Sequence, residues 1–126
     1  MRTGWKFLII VSIMFMAHNV YGDVGYVAQN VYYNSWRVNV NTGNVIVDLV
    51  LPYPIYLDSI IVGGDNDGQV LLNVGIYNVN RYLYTAFFCV GDFFVNPIYV
   101  AAGVHVTVVL ESGTAGWHSV SISGHF

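Results

Sequence analysis

Residues 36–51 read WRVNVNTGNVIVDLVL, and this stretch decides the fold class. Trp36, Val38 and Val40 alternate with polar residues, which is the period-two pattern of a strand with one buried face. The turn sequence NTGN follows at 41–44, and apolar residues then return at every second position up to Leu51. Two alternating segments joined by a tight turn predict two successive β-strands.

Similar short strands recur along the rest of the chain. Segments rich in Val, Ile, Leu and Tyr are separated by turns rich in Gly, Asn and Asp. No segment of ten or more residues has a convincing helical periodicity. Eight or nine short strands at regular spacing predict an all-β fold, namely an antiparallel β-sandwich that is either Ig-like or jelly-roll-like.

Two segments near the end of the chain have a familiar order of residues. PIYVAAGVHVTV at 97–108 and GWHSV at 116–120 resemble the turn, strand and closing strand of secreted Ig-like and pore-forming-toxin-like sandwiches. Unrelated folds share this pattern, so the resemblance implies a sandwich and no functional residue.

The first 22 residues have the organisation of a secretory signal peptide. Arg2 and Lys6 supply positive charge, an apolar run follows at 7–17, and VYG at 20–22 offers a cleavage site. This run is shorter than the roughly 20 apolar residues that a membrane-spanning helix needs. We therefore expect a signal peptide at 1–22, a single domain at 23–126, and a secreted, extracellular or cell-surface location. The alternative is an uncleaved anchor or a pilin-type helix.

The expected mature chain carries little charge, and most of it is negative. Charged residues make up 9% of the sequence, whereas about 25% is usual. Arg37 and Arg81 stand against seven acids after residue 22, which leaves a formal charge of −5. Nucleic acids and anionic membranes select cationic surfaces, so the composition excludes both as partners.

The outward faces of several predicted strands are apolar, which favours association. A lone sandwich of this size would leave them in water, and monomers rarely expose large apolar patches. No lysine remains to block a strand edge. The segment after the cleavage site is extended: it is either a donor strand for a neighbouring subunit or the sandwich's own first strand. The predicted self-association surface consists of Val24, Tyr26, Val27, Tyr82, Tyr84 and Phe88.

One acidic segment offers a candidate metal site. Asp65 and Asp67 stand at alternate positions of a DNDG sequence that resembles the start of a calcium loop. Asp58, on the preceding strand, is the nearest upstream carboxylate that could act with them as a calcium ligand. A plain hairpin turn explains the same residues. Calcium is the only cofactor that the sequence suggests.

No catalytic motif is present, so we expect a protein without enzymatic activity. The sequence lacks a G-x-S-x-G element, and its histidines are not at metal-ligand spacings. Cys89 is the only cysteine, and its setting in FFCV predicts a buried, inert thiol, with an intermolecular disulfide as the alternative.

Two functions from different classes fit these features. The first is a secreted structural subunit that associates with copies of itself, by strand addition and sheet-face packing, into an extracellular filament, pilus-like fibre or surface layer. The second is a secreted binding module, either adhesin-like or lectin-like for glycans or binding a lipid surface. In that case exposed aromatic side chains make the contacts. The candidate ligand contacts are Trp36, Trp117 and Tyr56.

Overall fold

The computed structural model describes the backbone of residues 26–28 and all of residues 30–126. The signal peptide expected at 1–22 and the association residue Val24 lie outside the described residues. No helix in the described part of the chain is long and apolar enough to cross a membrane. The strands of this part are β1 (Tyr26–Ala28), β2 (Val31–Val40), β3 (Val45–Val50), β4 (Ile55–Gly64), β5 (Gly68–Val74), β6 (Tyr77–Tyr84), β7 (Cys89–Val100), β8 (His105–Gly113) and β9 (Gly116–His125).

These strands form two antiparallel sheets that pack into a sandwich. The five-stranded sheet has the order β1-β2-β9-β4-β7, and the four-stranded sheet has the order β3-β8-β5-β6. The pairing is nested: β5 pairs with β6, β4 with β7, β3 with β8 and β2 with β9. A long hairpin wrapped into two sheets in this way is a jelly roll. The predicted all-β sandwich is thus confirmed, and its strand order is that of the jelly-roll type.

The core follows from the alternation along each strand. On β8 the buried positions are Val106, Val108 and Leu110, and on β9 they include Val120 and Ile122. The residues between them on both strands point away from the opposite sheet. Each fully buried Val, Leu or Ile side chain stabilises the fold by about 1.5–3 kcal/mol. The central strands of both sheets are therefore fixed in register by burial.

The predicted outward orientation of Tyr82 and Tyr84 is wrong. Their side chains are 6% and 4% exposed, whereas Leu83 between them is 71% exposed. Tyr82 lies opposite the buried Val70, and Tyr84 lies opposite Gly68, which leaves room for its ring. Because both alternating sets of positions on β6 mix apolar or aromatic residues with polar ones, the pattern alone could not identify the buried set. Neither tyrosine belongs to an association surface.

The first strand of the sandwich belongs to the chain's own sheet. Tyr26 and Val27 lie in β1, which pairs with β2 as a hairpin in the register Tyr26 to Tyr33 and Val27 to Tyr32. This pairing agrees with the interpretation of the segment as the sandwich's own first strand, rather than as a donor strand for a neighbouring subunit. Phe88, the remaining residue of the predicted association surface, is exposed, as expected.

Candidate binding site

The outward side chains of the five-stranded sheet form a surface that we call the candidate face. Polar residues occupy every second position of β9, the third strand of this sheet, and their neighbours on that strand are buried. Ser35 on β2 shares a hydrogen bond of 2.9 Å with Ser121, and Ser59 on β4 shares one with Ser123. The outward residues of β9 are Trp117, Ser119, Ser121, Ser123 and His125.

A concave hollow of about 270 Å³ lies at one end of this face, near the loops that follow β4 and β6. Arg37 lines it from β2, and Phe88 lines it from the turn that precedes β7. The outward position of β4 between them is Gly63, where a Cβ would lie 2.9 Å from the Phe88 carbonyl oxygen. The missing side chain thus lets β7 approach and leaves the hollow open. Its volume is slightly below the range of about 300–1,000 Å³ that is typical of ligand pockets.

Cys89 also lines the hollow, and it is exposed. The expectation of a buried thiol is therefore wrong. Cys89 stands opposite Gly63 on an outward position of the edge strand β7, so its apolar neighbours in sequence do not cover it.

A paired cation and carboxylate form one wall of the hollow. The Arg37 guanidinium donates two hydrogen bonds to Asp65, of 3.2 and 2.7 Å, in the bidentate arrangement. The hydrogen bond from Arg37 lowers the pKa of the Asp65 carboxyl group and raises that of Arg37. The guanidinium carbon also lies 5.3 Å from the ring centre of Trp117, a cation–π distance. Arg37 therefore fixes the carboxylate and the indole relative to each other.

The opposite wall is an exposed turn with two adjacent phenylalanines. Phe87 and Phe88 are 80% and 71% exposed, and Phe87 has a left-handed backbone with φ of 66°. The Phe87 amide donates to the Gly64 carbonyl oxygen at 2.8 Å, and the Ala86 amide donates to Asp67 Oδ1 at 2.7 Å. A non-glycine residue in this conformation persists only where its surroundings hold it. The turn after β4 thus holds the two rings beside the hollow.

A buried polar network ties together the loops at this end. His118 is fully buried, and its Nε2 lies 2.8 Å from the Thr114 carbonyl oxygen. Because a carbonyl oxygen only accepts, Nε2 carries the proton, and Nδ1 accepts from the Tyr84 hydroxyl at 2.7 Å. Burial raises the pKa of Tyr84 to about 12, which keeps its hydroxyl a donor. His118 follows Trp117 directly, so this network also fixes the strand that bears the exposed indole.

The other end of the candidate face carries a row of rings across three strands, which we call the aromatic row. Tyr56 on β4 stacks on His125 of β9, with ring centres 5.3 Å apart and planes 12° apart. Tyr99 on β7 packs beside Tyr56 at 5.2 Å. His125 Nδ1 contacts the Asp58 carboxylate at 2.8 Å. Tyr56 is therefore held between two rings, and its hydroxyl and ring edge are its most available parts.

The three carboxylates of the calcium prediction do not converge. Asp58 contacts His125, Asp65 binds Arg37, and Asp67 accepts from a backbone amide. Asp58 and Asp65 are seven residues apart along one extended segment, which places them about 23 Å apart. The suggestion that Asp58 completes the set is therefore wrong. The described residues contain no group of three or more His, Cys, Asp or Glu side chains that could hold a metal.

Two of the three predicted ligand contacts lie on the candidate face. Trp117 and Tyr56 are exposed there, at opposite ends. Trp36 instead packs against the core opposite Val120, and its Nε1 is buried without an acceptor among the described groups. The prediction that Trp36 contacts a ligand at the surface is therefore wrong. Its alternation with Val38 and Val40 already placed it on the inward side of β2.

Sequence reasoning missed the contribution of Arg37 and of the serines on β9. The serines were detectable, because residues 117–125 read WHSVSISGH and alternate strictly. The pairing of Arg37 with Asp65 was not detectable, because it joins residues 28 positions apart through the strand order.

Comparisons with known proteins add little beyond the fold. No protein-family model matches the chain, and no curated protein matches it. Among solved structures, the chain is similar to a cupin domain from Bordetella pertussis Tohama I, with 15% identity over 79% of this chain and 86% of that one and a TM-score of 0.38. It is also similar to the carbohydrate-binding module CBM36 in complex with calcium and xylotriose, with 14% identity over 78% and 75% and a TM-score of 0.40. A third structure is TT1209 from Thermus thermophilus, with 12% identity over 82% and 81% and a TM-score of 0.37. At these scores the similarities carry no argument about a ligand.

Proposed function

We propose that this protein is a non-catalytic, secreted binding module that binds carbohydrate on the candidate face. The observation that carries the proposal is the hollow, which brings the Arg37–Asp65 pair and serine hydroxyls of β9 together, with the exposed indole of Trp117 beside it against Arg37. Sites on sheets hold their side chains more firmly than sites on loops. The surface is therefore suited to a ligand that is apolar on one side and rich in hydroxyls on the other.

A sugar ring has this composition. Its C–H groups form an apolar face that stacks on an aromatic ring, and its hydroxyls lie around the rim. Trp117 offers the ring, because its indole is 44% exposed beside Arg37. Arg37 donates and Asp65 accepts, so the pair can bind adjacent hydroxyls of one sugar. A few convergent polar groups beside an apolar wall are typical of small-molecule sites.

The absence of catalysis is part of the proposal. A general acid must hold a proton near neutral pH, and carboxyl groups in that role have raised pKa values. The carboxyl group in the hollow is Asp65, whose pKa is lowered by its hydrogen bond from Arg37. Asp65 is thus suited to accept hydrogen bonds rather than to donate protons.

Affinity electrophoresis in gels that contain soluble polysaccharides tests this function. The probes are xylan, mixed-linkage glucan, galactomannan and starch, each with calcium and with a chelator. We expect at least one polysaccharide to retard the mature protein and Trp117→Ala to remove the retardation. Tyr77→Ala is the matched control, because Tyr77 is an exposed aromatic residue on the other sheet. Equal retardation of both variants, or none for the parent protein, would refute the proposal.

Self-association is the second candidate function, and one observation favours it. Large hydrophobic side chains are exposed on the edge strands β6 and β7, including Leu83, Phe93 and Val95, the last of which is 94% exposed. However, the pairing of β4 with β7 jumps from Ile98 to Phe93, and Pro97 lies in the irregular segment. Bulges and prolines at an edge hinder strand addition.

Sedimentation velocity over a wide concentration range distinguishes the two candidates. A binding module stays monomeric at all concentrations. Growth into large particles that Val95→Lys abolishes would support a self-assembling subunit instead.

A further inference from the structure

The candidate face is longer than one sugar, and it carries ring-bearing contacts at both ends. The hollow with Trp117 lies at the end of β9 that follows the β8–β9 turn, and the aromatic row lies at the opposite end. We infer that the ligand is an extended, uncharged polysaccharide chain that lies along β9 from Trp117 to the aromatic row. This inference rests on the proposed function and specifies its ligand.

The length of the face follows from strand geometry. Trp117 and His125 are the first and last outward residues of β9, eight positions apart. A strand rises about 3.3 Å per residue, so the two ends are about 26 Å apart. Tyr56 lies directly opposite His125, which places the aromatic row at the far limit. A single ring can contact one end only, whereas several rings joined in a chain can contact both.

The floor between the ends is low and rich in hydroxyls. The outward side chains of β9 between Trp117 and His125 are all serines. Two of them, Ser121 and Ser123, share hydrogen bonds with serines of the neighbouring strands, which orders their hydroxyls. A hydroxyl has two acceptor lone pairs and one donor, so each shared pair keeps capacity for a ligand. A chain of sugars can therefore lie against the floor without meeting a bulky side chain on β9.

The charges on the face favour an uncharged chain. Both arginines in the described part of the protein form ion pairs: Arg37 with Asp65, and Arg81 with Glu111 on the other sheet. At the far end the Asp58 carboxylate lies beside His125. An anionic polysaccharide would need free cations, and binding one here would require it to displace a carboxylate from its partner. Chains of neutral sugars face no such cost.

Isothermal titration calorimetry with oligosaccharides of increasing length tests the inference. The probes are the disaccharide to hexasaccharide series of whichever neutral polysaccharide retards the protein, with polygalacturonate and heparin as anionic comparisons. We expect the hexasaccharide to bind at least about tenfold more tightly than the disaccharide. We also expect Tyr99→Ala to weaken hexasaccharide binding while leaving disaccharide binding unchanged, with Tyr77→Ala as the control.

The outcomes separate the two proposals. If no polysaccharide binds, the proposed function itself fails. If the disaccharide and the hexasaccharide bind equally, or if Tyr99→Ala changes neither affinity, the protein binds carbohydrate but the extended-chain inference is overturned. Tighter binding of polygalacturonate or heparin than of the neutral hexasaccharide would overturn the choice of an uncharged ligand.

Discussion

At the scale of single residues, the polar groups near the hollow are matched in donors and acceptors. His118 is buried completely, yet both of its ring nitrogens have partners. The Tyr84 hydroxyl supplies one of these bonds from the neighbouring sheet. A buried acceptor that loses its donor costs more free energy than the bond itself contributes. The Tyr84 hydroxyl should therefore matter more for stability than its small size suggests.

Replacing Tyr84 tests this network. Tyr84→Phe keeps the ring but leaves His118 Nδ1 without a donor, so we expect the free energy of unfolding to fall by about 1–3 kcal/mol. Urea denaturation followed by circular dichroism measures the change. Tyr77→Phe removes a hydroxyl from an exposed ring and should change little. Equal stability of the two variants would contradict the role of the network.

The raised pKa values of the two buried tyrosines predict how the stability of the fold changes at alkaline pH. Burial raises the pKa of Tyr84 to about 12, and burial together with the hydrogen bond to Asp92 also raises the pKa of Tyr82. A folded-state pKa above the unfolded value of about 10 means that the stabilisation is complete below pH 10 and is lost as the pH rises through 12. We expect the urea midpoint to fall between pH 10 and pH 12, and Tyr84→Phe to reduce the slope. An unchanged midpoint up to pH 12 would show that these hydroxyls ionise freely.

At the scale of strands, the alternation of polar and apolar residues predicts where the strands lie better than it predicts which of their faces is buried. The two strands and the turn predicted within residues 36–51 are confirmed as β2, NTGN and β3, but the two strands lie in opposite sheets, β2 beside β9 and β3 beside β8. On β3, however, Ile46 and Val47 are both buried, because the pairing with β8 is irregular between Val45 and Val47. A bulge of this kind shifts the alternation within one strand. No pattern of apolar residues alone reveals where it falls, nor which phase of β6 is buried.

Two glycine-to-alanine substitutions test the register of β6. One is at a glycine opposite β6, and the other, at a glycine on β7, is the control. A Cβ at Gly68 would lie 2.5 Å from the Tyr84 hydroxyl oxygen, whereas one at Gly91 would have only ordinary contacts of 3.6 Å or more. Gly68→Ala should therefore destabilise the protein by about 1–3 kcal/mol through overpacking. Gly91→Ala on β7 should be close to neutral in thermal unfolding. If both substitutions cost the same, Tyr84 does not pack over Gly68.

At the scale of the whole molecule, the nested order of the strands creates the candidate face. It places β9 between β2 and β4, so that residues far apart in sequence lie at one end of the face: Arg37 and Gly63 line the hollow, and Trp117 lies beside Arg37. The alternation and spacing of the predicted strands could predict a sandwich, and the aromatic residues could suggest Trp117 and Tyr56. The hollow could not be predicted, because it depends on pairings between strands that are distant in the chain.

The Arg37–Asp65 pair gives a test of the assembled site. Asp65→Asn keeps the size of the side chain but removes the charge that orders Arg37, so we expect carbohydrate affinity to fall by about tenfold. Asp48→Asn is the control, because Asp48 is an exposed carboxylate on the other sheet that contacts His105. Thermal unfolding confirms that both variants remain folded. Undiminished binding by Asp65→Asn would show that the Arg37–Asp65 pair does not contribute to carbohydrate binding.

The position of the bound oligosaccharide decides whether the candidate face is the binding site. Two-dimensional amide NMR spectra of labelled residues 23–126, recorded during titration with the neutral oligosaccharide that binds, locate it residue by residue. We expect the shift changes to cluster on the outward positions of β9, from Trp117 to His125, and on the adjoining parts of β2, β4 and β7. Changes confined to β3, β5, β6 and β8, or no changes at saturating oligosaccharide, would contradict it.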